Sequence, residues 1–209
     1  VLYLLSCNLA EILAVAAAAL GNLPAPLLPL QILFLNLVTD VFPALALGLG
    51  RGPEDIMDRP PGNPKDPILK KGDWIRILLY GFAISAAVLG VVLYGKYVLE
   101  LTPGRINNLA FYTLVGAQLF HVFNMTDRRT SFFKNEITFN PYVWGAIVLS
   151  ICITAAAYWI PSVAKVLELE RMDIGLLGTA LAFSLGSVFL IQLPQAVGYY
   201  FGKYPREKE

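Results

Sequence analysis

The chain has 209 residues, 56 % of them hydrophobic and 15 % charged, with a formal net charge of +1. That apolar share is too high, and that charged share too low, for a soluble domain of this length, and the near-neutral balance gives no basis for a nucleic-acid partner. Apolar runs of about 20 residues, the length that crosses a bilayer core, recur from end to end, so the expected fold is all-α, an integral, multi-pass, six-helix membrane bundle embedded in a lipid bilayer.

The expected spans cover residues 1–20, 27–48, 75–99, 107–126, 140–160 and 174–197. The first begins at Val1, without an initiator Met, a basic n-region or a cleavage site, and is expected to be a helix cut from a longer polypeptide. Its Asn8 and Glu11 are three apart and share a helix face. Cys7 here and Cys152 in the fifth span are expected to be small membrane-buried residues and not a disulfide. The tight turn "GNLPAP" (21–26) makes the first two spans antiparallel neighbours.

The second span carries Asn36, Thr39 and Asp40 at i, i+3 and i+4, again on one face. Pro43 removes a backbone donor and clashes one turn back, at Thr39, so the span is expected to unwind near Thr39–Pro43 and free its carbonyls. Glu11 precedes the turn by about ten residues and Asn36 follows it by about ten, which puts both groups near the midplane. An ionised carboxylate costs about 3 kcal/mol at that depth and marks a functional site. Carboxylates mixed with amide and hydroxyl oxygens suit a hard cation such as Ca²⁺, and the sequence offers no Cys/His cluster of the kind that selects softer metals.

Residues 49–73 are Pro-rich and too short for a core of their own, so they read as a solvated loop. The fourth span holds Gln118, His121 and Asn124 at three-residue steps, which drift about 120° around the helix and need not converge. His121 reads either as a hydrogen-bonded packing residue or as a group for a proton step. Trp74, Tyr142, Tyr94, Tyr97, Tyr158 and Trp159 lie near span ends, where lipid-interface anchors belong. Lys and Arg number 0, 5, 1, 3 and 2 in the successive connections and 3 in the tail. That alternation puts both chain ends in the cytoplasm, with the plasma membrane as the expected location.

"NLVTD" (36–40), "PALALG" (43–48) and "EDIMDRPP" (54–61) resemble the sixth membrane helix and following cytoplasmic loop of P-type ATPases, in the class of sarcoplasmic-reticulum-type calcium pumps and their bacterial relatives. "SCNLAE" (6–11) resembles the fifth-helix motif of the same pumps. The likeness implies that the chain is the C-terminal part of such a transmembrane domain, helices five to ten. Residues 1–48 would be the cation-site hairpin. Residues 49–73 would be the coupling loop that meets the phosphorylation domain through Glu54, Asp55 and Asp58. Residues 74–209 would be four supporting helices and a short basic cytoplasmic tail.

The resemblance further implies that Asn8, Glu11, Thr39 and Asp40 are ligands of a first cation site, and that Asn36 and Asp40 contribute to a second. Gln118 stands where the eighth helix of the calcium pumps has a Glu, a departure that favours one ion per cycle or a monovalent ion. "NLVTD" in place of "DLGTD" favours the calcium branch over the sodium–potassium and proton–potassium pumps. No "DKTGT" motif, nucleotide-binding domain or "PEGL"-like motif is in the chain, so it holds no catalytic residue and is expected to be inactive alone. ATP and Mg²⁺ would act only in upstream domains, with helices one to four as further partners. The expected function is the membrane part of an ATP-driven pump that exports Ca²⁺ through a phosphoenzyme alternating-access cycle. The alternatives are a Na⁺ or H⁺ pump of the same class, or a six-span secondary transporter or channel subunit. The absence of an internal repeat speaks against the last of these.

Overall fold

The computed structural model describes residues 1–50, 67–125 and 137–200, with 193–200 as backbone. The "EDIMDRPP" loop with Glu54, Asp55 and Asp58, the basic residues Arg128, Arg129 and Lys134, and the tail 201–209 lie outside the described residues. Every regular element described is helical: α1 (Leu2–Leu20), α2 (Pro29–Leu35), a π-helical turn (Asn36–Val41), α3 (Phe42–Gly48), α4 (Lys71–Tyr97), α5 (Pro103–His121), a 3₁₀ turn (Val122–Met125), α6 (Pro141–Trp159), α7 (Pro161–Val166) and α8 (Ile174–Tyr200). The chain is an integral membrane protein with an all-α fold.

Local chemistry sets the helix ends. Proline opens α2, α5, α6 and α7, where its missing N–H is one the first turn leaves unpaired anyway. Asn140 caps α6 by accepting from Tyr142 N at 2.9 Å. The α1 helix ends at Gly21, and Asn22 turns the chain with a φ of 48°, a left-handed conformation that Asn tolerates. Pro103 starts α5 four residues ahead of the expected 107. The short α7 lies in the connection between the expected spans 140–160 and 174–197.

Among the described residues, five helical rods are long and apolar enough to cross a membrane: Leu2–Leu20, the continuous Pro29–Gly48, Lys71–Tyr97, Pro141–Trp159 and Ile174–Gln192. The α5 helix equals α1 in length at 19 residues but is more polar. Its position explains the difference. Thirteen of its residues are buried, including Asn107, Asn108, Thr113, Gln118 and His121, because it stands inside the bundle, where protein and not lipid must satisfy its side chains. The outer rods instead turn Leu33, Leu79, Phe82, Ile151, Leu181 and Phe189 outward.

The core lies between α4, α5 and α8, around Ile84, Val88, Val91, Leu109, Phe111 and Leu114. The α1 helix packs chiefly on α4 and reaches the second rod at the π turn, while α6 packs on α3. The α5 and α8 helices close on each other at Gly116, where a Cβ would come 2.5 Å from Ser184 Oγ. Ser184 Oγ also donates to Thr113 O at 2.8 Å. Gly116→Val should therefore force the two helices apart and cost about 1–3 kcal/mol of stability. Thermal unfolding in detergent checks this, and an unchanged midpoint would show that α8 does not seat there.

Candidate cation site

The site grows out of the backbone around Pro43. Without an N–H, Pro43 leaves the Thr39 carbonyl without its i+4 donor and the Val38 carbonyl without its i+5 donor. The sequence leads one to expect the chain to unwind there, but it does not. It stays continuous and widens into the π turn Asn36–Val41. Both orphan carbonyls are then satisfied from neighbouring helices. Tyr3 OH donates to Thr39 O at 2.7 Å, and Ser150 Oγ donates to Val38 O at 2.8 Å. The extra residue in the wide turn presents Thr39 and Asp40 inward, at 0 % and 3 % exposure.

Three of the sequence-derived residues meet through one amide. Gln118 Nε2 donates to Glu11 Oε1 at 2.9 Å, and Thr39 Oγ1 donates to Gln118 Oε1 at 2.5 Å. Gln118 thereby bridges α1 to the π turn. An amide N–H aimed at a carboxylate oxygen offers the partial positive charge that a cation would offer there. Asn36 and Asp40 form the other half of the site, and their Oδ1 atoms are buried without a hydrogen-bond partner. Buried acceptors are rarely left so. The Cys7 side chain, one turn before Glu11 on α1, lies beside Asp40.

Asn8 is half-buried and takes no part in the bonds around Gln118. His121 and Asn124 hydrogen-bond to each other, one turn and two turns beyond Gln118. Among the described residues no three His, Cys, Asp or Glu side chains gather to hold a metal ion. Glu11 and Asp40 are the two carboxylates of this cluster, set near the neutral oxygens of Asn36, Thr39 and Gln118, the donor type that suits hard cations.

Sequence reasoning missed Tyr3, Cys7 and Ser150. Tyr3 and Cys7 lie eight and four residues before Glu11, a helical spacing that was available as a signal. Ser150 gave none. Also missed is an amide staple at the turn end of the bundle. Gln31 and Asn107 pair reciprocally at 2.7 and 3.1 Å, Gln31 Nε2 also donates to Leu167 O at 3.0 Å, and Asn108 Nδ2 donates to Glu168 O at 2.9 Å. It holds α2, α5 and the connection after α7 in register.

Residues 24–197 match the family described as "Cation transporting ATPase, C-terminus". A calcium-transporting ATPase of Bacillus subtilis (strain 168) is 37 % identical over 161 residues, covering 76 % of this chain and 18 % of that protein. Calcium-transporting ATPase 1 of Bacillus cereus (strain ATCC 10987 / NRS 248) is 29 % identical over 200 residues, covering 88 % of this chain and 22 % of that protein. The chain thus spans about a fifth of the length of the curated relatives it matches. With a matched region that takes in the π turn and every helix after it, the chain belongs to the P-type cation-transporting ATPases and corresponds to their carboxy-terminal membrane region.

Proposed function

We propose that this chain forms the carboxy-terminal part of the transport domain of an ATP-driven pump that exports Ca²⁺ from the cytoplasm. The observation that carries the reading is the pair of unpartnered buried oxygens, Asn36 Oδ1 and Asp40 Oδ1, in a turn widened by Pro43. Asn36 and Asp40 bind the cation, with Glu11 and Thr39 adjoining. Asn8, half-buried on α1 one turn before Glu11, is the further candidate ligand. The Glu11–Gln118–Thr39 bridge is already satisfied, which supports one ion per cycle.

In this reading Mg²⁺ and ATP act in domains outside this chain, and phosphorylation of an aspartate there drives alternating access of the site. Residues 49–73 carry the coupling to the phosphorylation domain. Both chain ends are cytoplasmic, the membrane is the plasma membrane, and the chain alone has no ATPase activity. The names of the Bacillus relatives support Ca²⁺ as cargo.

The test is phosphoenzyme formation from ATP by the full-length pump, across Ca²⁺, Na⁺, K⁺, Mn²⁺ and no added ion, at two pH values. Phosphorylation that requires Ca²⁺ at micromolar levels is the expected result. Phosphorylation with Na⁺ alone, or with no added ion, would replace Ca²⁺ by a monovalent ion or a proton.

A further inference from the structure

One turn beyond Gln118, α5 carries a polar group that the cation site does not use. His121 is fully buried, and both of its ring nitrogens are engaged. Asn124 Nδ2 lies 3.3 Å from Nδ1, and Ser6 Oγ lies 2.9 Å from Nε2. The Asn124 amide is oriented from α8, because Gln192 Nε2 donates to its Oδ1 at 2.7 Å and leaves the nitrogen facing the ring. An amide nitrogen only donates. So Nδ1 accepts, Nε2 carries the ring proton and donates to Ser6 Oγ, and the Ser6 hydroxyl donates to Tyr3 O at 2.8 Å. A single direction of donation runs from α8 through the 3₁₀ turn and α5 to the first turns of α1.

The ring is gripped on its faces as well. Tyr3 stacks on it with centroids 5.8 Å apart and planes 19° apart, and Tyr80 of α4 meets it edge-on at 4.9 Å and 72°. Tyr3 is the residue whose hydroxyl holds the Thr39 carbonyl, next to Asp40, and lies 3.2 Å from Gln118 O. His121 therefore fixes the tyrosine that fixes the π turn.

We propose that His121 is a positioning residue for the cation site, and that the chain Gln192–Asn124–His121–Ser6 makes cation affinity depend on how α8 is seated. This rests on the reading of the π turn as the cation site. With His121 replaced by an apolar side chain, Asn124 and Ser6 lose their shared partner and Tyr3 loses the plate under its ring. The Tyr3 hydroxyl then no longer has a fixed place on Thr39 O, and the ligand atoms of the turn lose their fixed spacing. No proton moves to or from cargo in this role.

The test uses the full-length pump and reads two quantities from the same titration: the Ca²⁺ concentration at half-maximal phosphoenzyme, and the maximal level. His121→Leu should raise the half-maximal concentration about tenfold while the maximum stays within about twofold, the scale of losing one or two buried hydrogen bonds. His121→Gln, which keeps a donor and an acceptor, should recover most of the affinity. Gln192→Leu, at the half-buried outer end of the chain, should raise the half-maximal concentration by about threefold.

A purely structural role predicts the opposite split, a lower maximum with unchanged affinity in all three variants, and that result overturns the proposal. Should His121→Leu fail to fold, unchanged affinity in Gln192→Leu overturns it alone. A wild-type pump that forms phosphoenzyme without any cation dependence would overturn the cation-site reading itself and this proposal with it. Normal cation dependence in the wild type with unshifted variants overturns this proposal only.

Discussion

Asp40→Asn is expected to abolish cation-dependent phosphoenzyme formation in the full-length pump, or to push the required cation concentration up by on the order of a hundredfold to a thousandfold. That range corresponds to removing one charge from a buried charge pair. The side chain keeps its shape, so the loss would be electrostatic. Asp40 supplies half the negative charge of the proposed ligand set, and its Oδ1 has no hydrogen-bond partner in the protein. The companion measurement is thermal unfolding without cation. A buried carboxylate with an unpartnered oxygen is a liability in the empty state, so the Asn variant should melt at the same temperature as the wild type or higher. Wild-type cation dependence would remove Asp40 from the site. A large fall in the melting temperature would make it a structural residue.

Gln118→Glu should act in the reverse direction. The present amide donates to Glu11 Oε1 and accepts from Thr39 Oγ1, so it closes the space between α1 and the π turn without any ion. Replacing its nitrogen by oxygen removes the donor and sets two carboxyl groups face to face. The cation-free protein should lose about 1–3 kcal/mol of stability, the scale for a buried acceptor stripped of its donor. Added Ca²⁺ should restore that stability in a saturable way, since a ligand that binds only the folded state stabilises it by mass action. The count of bound Ca²⁺ should rise from one to two. If neither stability nor stoichiometry responds, the amide bridge is not what limits the site to one ion.

Much of this protein was legible in its sequence. Runs of apolar residues fix helices because lipid leaves backbone groups no other partners, and the spacing of Asn36, Thr39 and Asp40 fixes their shared face. The matched depth of Glu11 and Asn36 follows from helical rise on either side of one short turn. Periodicity, however, tells which residues share a face of one helix and not which neighbour that face meets.

Only the tertiary structure decided that Glu11 is held by Gln118 while Asn8 takes no part in the bonds around that amide. It alone showed that α1 leans on α4 and meets the second rod chiefly around the π turn. The consequence of Pro43 was half-readable. The sequence dictates a missing donor, but whether the chain unwinds or widens depends on who fills the freed carbonyls. Here Tyr3 and Ser150, 36 and 112 residues away in sequence, do so and keep the rod continuous. The polar character of α5 is likewise ambiguous in isolation and explained by its place inside the bundle. Sequence thus determined the helices, their depth and the type of chemistry they carry. Packing between helices distant in the chain decided which polar atoms are satisfied and left Asn36 Oδ1 and Asp40 Oδ1, both in the π turn, without a protein partner.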